Sequence, residues 1–279
     1  MDVQAQSFKT IETNILTLQV YNASEKSFGV SSVIVSGKTD AVLIDAQFTL
    51  ADAENVAQQI KKSGKKLTAI YVSFGDPDFY FGLEVFKKYF PEVTAYAAPA
   101  TVEHIKATAQ KKLDVWGAQL GKNITSNVVL PQVLKGNSID LEGQKIEIVG
   151  LEEFPAKTFV WIPSIKAVVG GINVFGTTFN LWMADAQTTE ARQQWINVLD
   201  KIEALQPAIV VPAHAKSESA FDLSAVKHTK TYIQFYEEVL KTNKTSEAII
   251  AAIKAKYPAL TFDIALQLGA KVNSGEMKW

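Results

Sequence analysis

The run Ile70-Tyr71-Val72-Ser73-Phe74-Gly75-Asp76-Pro77-Asp78-Phe79-Tyr80-Phe81-Gly82 constrains the fold of this chain more than any other stretch. Residues 67–73 are apolar on both alternations and read as a strand buried on both faces. Pro77 suits the first turn of a helix, Asp76 is a favoured cap before it, and Asp78 complements its positive end. The spacing predicts a helix over about 77–90. A strand that stops at a small residue and turns directly into a helix belongs to a sheet covered by helices. The turn places Phe74, Asp76, Asp78 and Phe79 at the sheet edge, two carboxylates alternating with rings that carry no lone pair.

The same grammar runs along the chain. Residues 15–21 and 28–35 are rich in β-branched and aromatic residues and read as strands. Residues 41–45 form a short apolar strand, and Thr49, with Asp52 reaching back, caps a helix that runs to about Lys62 and stops at Gly64. A strand at 93–97 and a long helix over about 99–120 follow. In the second half, 145–149, 158–162 and 167–169 read as consecutive strands. Trp195, Val198, Leu199, Ile202 and Leu205 mark one helix face, and 208–211 is a strand leading into Pro212-Ala213-His214. The remainder, about 221–268, is helical with breaks near Thr242-Asn243 and at Pro258. No linker or repeat divides the 279 residues. The pattern predicts two facing mixed sheets with helices outside, a sandwich over 1–217, and a helical extension over 218–279 packed on the same domain.

Composition excludes several chemistries. There is no cysteine and there are three histidines, His104, His214 and His228, so thiolate chemistry and cysteine-held zinc are out of reach. The net charge of -1 has no basic stripe, which argues against nucleic acid. No apolar run approaches the ~20 residues of a membrane span. Ser73 lacks a Gly-x-Ser-x-Gly elbow, and Gly170-Gly171 has no following lysine to make a phosphate loop. The polar start Asp2-Val3-Gln4-Ala5-Gln6 fits the mature end of an exported bacterial protein, periplasmic or secreted, and a cytoplasmic protein is the alternative.

Five segments, in order from about 33 to 214, resemble the metallo-β-lactamase superfamily. Val42-Leu43-Ile44-Asp45 is similar to its strand ending in a structural aspartate. Phe74 to Gly82 stands where its His-x-His-x-Asp-His ligand motif belongs. Thr158-Phe159-Val160-Trp161-Ile162-Pro163 resembles the strand after the third histidine. Val168 to Phe175 resembles the strand before the bridging aspartate, and Val210-Val211-Pro212-Ala213-His214 the last histidine loop. The resemblance implies the αββα fold and, for an intact site, zinc-dependent hydrolysis. The ligand slots depart from it. Phe74 and Phe79 replace histidines, Asp76 stands in the second histidine slot, 151–155 holds no histidine, and the bridging position falls at Ile172 or Asn173. Only Asp78 and His214 keep the family's residue type.

Two functional readings follow. The first is a non-classical or inactive hydrolase homologue that needs no cofactor and binds a small, partly apolar ligand, with Phe74, Asp76, Asp78, Phe79, Trp182, Asp185 and His214 as its pocket. The second is a single-metal hydrolase of esters, lactones or related acyl compounds, with one divalent ion (Zn, Mn or Mg) on Asp78, His214 and Asp76. Each candidate has a plain structural alternative: capping for Asp76 and Asp185, a hydrogen-bonded structural role for His214, a solvated face for His104, His228 and Glu152-Glu153. Phe74, Phe79, Tyr80, Phe81, Trp161, Phe175, Phe179 and Trp182 are expected at one sheet edge, either lining a pocket or plugging it. The long tail suggests a homodimer through the C-terminal helices if it keeps an apolar face exposed.

Overall fold

Alternation along the strands decides the layering. The structure, a computed structural model, describes residues 8–279. The polar opening on which the expectation of export rests lies outside the described residues. One sheet runs in the order β1 (Lys9–Glu12), β2 (Thr17–Asn22), β3 (Ser31–Ser36), β4 (Asp40–Ile44), β5 (Lys66–Val72), β6 (Thr94–Ala97), β7 (Gln132–Val133). Its first four strands pair antiparallel and the last four parallel. The parallel connections are made by α1 (Leu50–Ser63), by α2 (Pro77–Tyr80) with α3 (Leu83–Tyr89), and by α4 (Pro99–Leu120), as crossovers between parallel strands require.

The second sheet holds β8 (Ser138–Leu141), β9 (Gln144–Val149), β10 (Phe159–Ile162) and β11 (Ala167–Val169) in antiparallel order. At its far edge β12 (Ile209–Val210) lies parallel to β11 after α5 (Thr189–Ala204). Alternate residues of the two sheets face each other: Val33, Val35, Val42 and Ile44 pack with Ile146, Ile148, Val160, Ile162 and Val169. The intervening residues turn outward. Ile34, Leu43 and Ile70 meet Val56, Ala57 and Ile60 of α1, while Phe159 and Val168 lie under Trp195, Val198, Leu199 and Ile202 of α5. The period of two thus feeds two apolar layers, one between the sheets and one under the helices. The αββα architecture is as expected.

After residue 217 the chain forms α6 (Leu223–Thr242), α7 (Ser246–Lys256) and α8 (Asp263–Asn273), with breaks near both expected positions. Helix α6 packs on α5, and α8 packs on the 3₁₀ turn Met183–Asp185. No described helix is long and apolar enough to cross a membrane.

Local differences from the sequence expectation have identifiable causes. The helix foreseen over 77–90 is two helices broken at Gly82, whose N–H donates to the Gln47 carbonyl at 2.9 Å. A β-carbon on Gly82 would lie 1.9 Å from the Ala46 oxygen, so only glycine admits this crossing. The strand foreseen at 28–35 begins only at Ser31, because Phe28 sits in the left-handed region at φ 61° and closes a 3₁₀ turn, Glu25–Ser27. Gly170 and Gly171 do not continue β11: both have positive φ, and the chain turns there toward Ser73.

Candidate functional site

The loops after β4, β5 and β11 meet at one edge because a buried carboxylate ties them. Asp45, at φ 64°, accepts the Ser73 N–H at 2.7 Å and the Ser73 hydroxyl at 2.6 Å, and that hydroxyl accepts the Gly171 N–H at 2.7 Å. Burial pushes the Asp45 pKa up to about 7 against the pull of the Ser73 bonds. This is the structural aspartate that the resemblance implies.

From that anchor, Phe74 and Phe79 leave the strand end as an edge-to-face pair with centroids 5.5 Å apart. Phe79 is fully buried and presents its edge to His214 at 5.7 Å, while Phe175 stacks on the imidazole at 4.9 Å. The His214 Nδ1 lies 3.0 Å from the Phe28 carbonyl. A carbonyl only accepts, so Nδ1 carries the proton and Nε2 is left bare. Nε2 faces Asp78 Oδ2 at 3.7 Å, with both side chains buried. Burial lowers the His214 pKa to about 4. Burial, then the Asp76 carboxylate, raises that of Asp78 well above the carboxylate range. The pair is therefore a carboxyl that favours its proton opposite an imidazole that favours neutrality.

Asp76 does not cap the short helix with its side chain. It ion-pairs instead with Lys112 of α4, whose ammonium also reaches the Gly75 carbonyl at 3.2 Å and His104 Nε2 at 3.1 Å. His104 is exposed, as expected, but it leans over Gly75: a β-carbon there would touch its ring at 2.6 Å. His228 corrects the surface expectation more firmly. It is half-buried, with Nε2 3.0 Å from the Phe179 carbonyl, and burial lowers its pKa. Glu152 and Glu153 are exposed, Glu153 pairing with Lys201 at 3.1 Å.

Ile172 and Asn173, at the bridging position, are turned to other work. Ile172 is core, and Asn173 donates to the Lys157 and Thr158 carbonyls at 2.9 and 3.3 Å. The Asn173 carbonyl accepts the Trp195 indole N–H at 2.8 Å. Lys157 holds its ammonium 4.3 Å above the Trp195 ring. Burial lowers its pKa, opposed by Asp185 and Asp76.

At the rim, Trp182 is half-buried against Phe28, Phe262 and Trp279. Asp185 does not cap α5, which Thr188 does by accepting the Ala191 N–H at 3.1 Å; it accepts the Trp279 indole N–H instead. Its carboxylate faces solvent, yet crowding by the protein around it, and next the Asp76 charge, push its pKa up to about 6. The expected aromatics, other than Trp161, join one ring network, Phe74 and Phe79 through His214 and Phe262 to Phe179, Trp182, Phe28, Phe48, Phe81 and Tyr80. Trp161 lies in β10 and makes no ring pair among the described residues. The sequence reading missed Phe28, Phe48, Phe262, Trp279 and Trp116, whose ring meets Phe28 and Phe48 at 5.2 and 5.5 Å, because ring partners brought in by tertiary packing leave no local pattern. It missed Lys112 and Lys157 for the same reason.

A zinc centre does not fit these residues. The 3.7 Å between Asp78 and His214 is close to the spacing of two ligands sharing one ion at about 2.1 Å each. A third donor is lacking: Phe79 holds the adjoining space, and Asp76 is held by Lys112. Among the described residues, no three His, Cys, Asp or Glu side chains are grouped to hold an ion.

No family model matches the sequence, and no curated protein does. Solved structures do match. The metallo-β-lactamase IND-7 superposes with TM-score 0.58 at 17% identity, over 83% of this chain and 100% of its own. A metallo-β-lactamase from Pontibacter korlensis gives 0.55 at 18% over 82% and 99%, and DIM-1 metallo-β-lactamase 0.52 at 21% over 82% and 98%. At these identities the likeness is one of fold, and the chain has the metallo-β-lactamase fold.

Proposed function

We propose that this chain uses the metallo-β-lactamase fold to bind a small, partly apolar ligand without metal-dependent hydrolysis. The observation that carries the reading is the seating of Phe79: fully buried, wedged between Phe74 and His214, on the segment that ends at the Asp76–Lys112 pair. Rings and an ammonium fill the space that imidazoles and cations would hold in a hydrolase. The half-buried Phe74 and Trp182, beside Asp76 and Asp185, supply the apolar surface and polar groups that a small ligand needs. Two measurements on protein grown with added zinc and manganese test the proposal: elemental analysis, and turnover of lactones and β-lactams. Neither stoichiometric metal nor turnover is expected. Two retained zinc ions together with hydrolysis would overturn it.

The facing of Asp78 and His214 favours a second reading, a single-metal hydrolase of acyl compounds. It requires Asp76 to leave Lys112. If it holds, His214→Ala abolishes metal uptake and turnover together; unchanged turnover in that variant removes it.

A further inference from the structure

Lys157, within electrostatic reach of Asp185 and Asp76, is a charged group of this edge that the proposed binding role leaves without an assignment. Its place is built. The Lys157 N–H donates to the Phe154 carbonyl at 2.7 Å, its carbonyl accepts from Asn173 Nδ2 at 2.9 Å, and Trp195 lies flat beneath the ammonium at 4.3 Å. Trp195 is itself fixed, because its indole N–H is spent on the Asn173 carbonyl at 2.8 Å. One asparagine therefore holds both the lysine's backbone and the platform under its head.

The head group has spare capacity. An ammonium offers three N–H donors. Lys112 meets three acceptors, Asp76, the Gly75 carbonyl and His104. Lys157, among the described residues, makes no side-chain hydrogen bond and no ion pair within 4.0 Å; the ring face is its near partner. Lys157 is half-buried, and a partly desolvated cation without a paired anion is kept at a cost. The neighbouring carboxylates do not remove the need: Asp76 is engaged by Lys112, and Asp185 takes the Trp279 indole N–H.

We propose that Lys157 recognises an anion, pairing with the carboxylate of a small ligand whose apolar body lies against the half-exposed rings of the same edge. The inference rests on the ligand-binding reading above and names the ligand's chemical class. A carboxylate supplies the acceptors that the ammonium lacks, while the Trp195 face covers one side of the head group.

Calorimetric titration of the intact protein with phenylacetate and octanoate, each beside its neutral primary amide, tests it. The carboxylates are expected to bind at least about tenfold tighter than the amides. Lys157→Met should erase that preference while leaving amide affinity in place, and Lys106→Met, at an exposed lysine that pairs with Glu103, should retain it. Lys157→Gln, which keeps the stem and a polar head, serves should the methionine variant fail to fold. Equal binding of acid and amide to the unaltered protein would overturn the inference and leave the ligand-binding reading standing. Preference surviving in both Lys157 variants would overturn it too. Binding of none of the four probes at millimolar concentration would overturn the inference and the binding reading together.

Discussion

At the scale of single residues, Phe79 shows how a phenyl ring can stand where an imidazole would serve a metal and leave no void. It is fully buried between Phe74 and His214. Truncation to alanine should cost about 3–5 kcal/mol in urea unfolding, the range for buried phenylalanines that leave a cavity. Phe79→His should set a third donor beside Asp78 and His214, so that zinc titration followed by elemental analysis finds one ion in the variant where the parent holds none. Two other buried groups make stability depend on pH in opposite senses. The folded pKa of Asp45, about 7, lies above its unfolded value, so its contribution is fully present below the carboxylate range and is lost as pH rises toward 7. The folded pKa of His214, about 4, lies below the unfolded imidazole value, so its contribution grows as pH rises from about 4 through the ordinary histidine range. Asp45→Asn removes the Asp45 share of the falling part. Denaturant midpoints of that variant should climb more steeply between pH 4 and 7 than those of the parent, and an unchanged slope would contradict the assignment.

Individual elements were legible in the sequence wherever a local rule sufficed. Thr49 and Asp52 cap α1 as read: the Thr49 hydroxyl accepts the Asp52 N–H at 3.2 Å and donates to its carboxylate at 2.6 Å. Gly64 ends the helix in the left-handed region at φ 69°. Continuous apolar runs found β4, β5, β10 and β11, which are buried on both faces over most of their length. They missed β1, β7 and β8, which carry exposed residues and are held by their neighbours more than by their own composition. The break between α2 and α3 was invisible for a related reason. Glycine inside an apolar helical pattern is locally tolerable, and only the approach of the Ala46 carbonyl makes it obligatory. Gly82→Ala should therefore destabilise by about 3 kcal/mol or more, at the upper end of overpacking penalties, although its backbone angles suit alanine. A denaturation midpoint within error of the parent would mean that the two loops can part at no cost. The site divides along the same line. Phe74, Asp76, Asp78, Phe79 and His214 share motifs that can be read, whereas Lys112 and Lys157 reach the edge through folding alone.

For the whole molecule, the question is what the last sixty residues do. Their apolar positions are turned inward: Val226, Ile233, Ile249, Ile253 and Leu266 are buried. Phe262 enters the ring network against His214 and Phe179, and Trp279 reaches back to Trp182 and Asp185. What the described tail leaves open is scattered, Ile264 at 41%, Met277 at 38% and Trp279 at 53% exposure, and isolated apolar residues do not make a contiguous interface. The tail thus completes the site edge of its own chain. Ending the chain at Leu240 uncovers Phe28, Phe179 and Trp182 together. The shortened protein should bind a hydrophobic dye, lose near-ultraviolet circular dichroism, and scatter light with a mass that grows with concentration, while the intact chain scatters as a monomer. Had the helices served mainly to join two copies, the intact chain would scatter as a dimer and the shortened one as a stable, folded monomer. That pattern would transfer the tail from the site edge to an interface, and with it the reason Phe262 stacks on the imidazole.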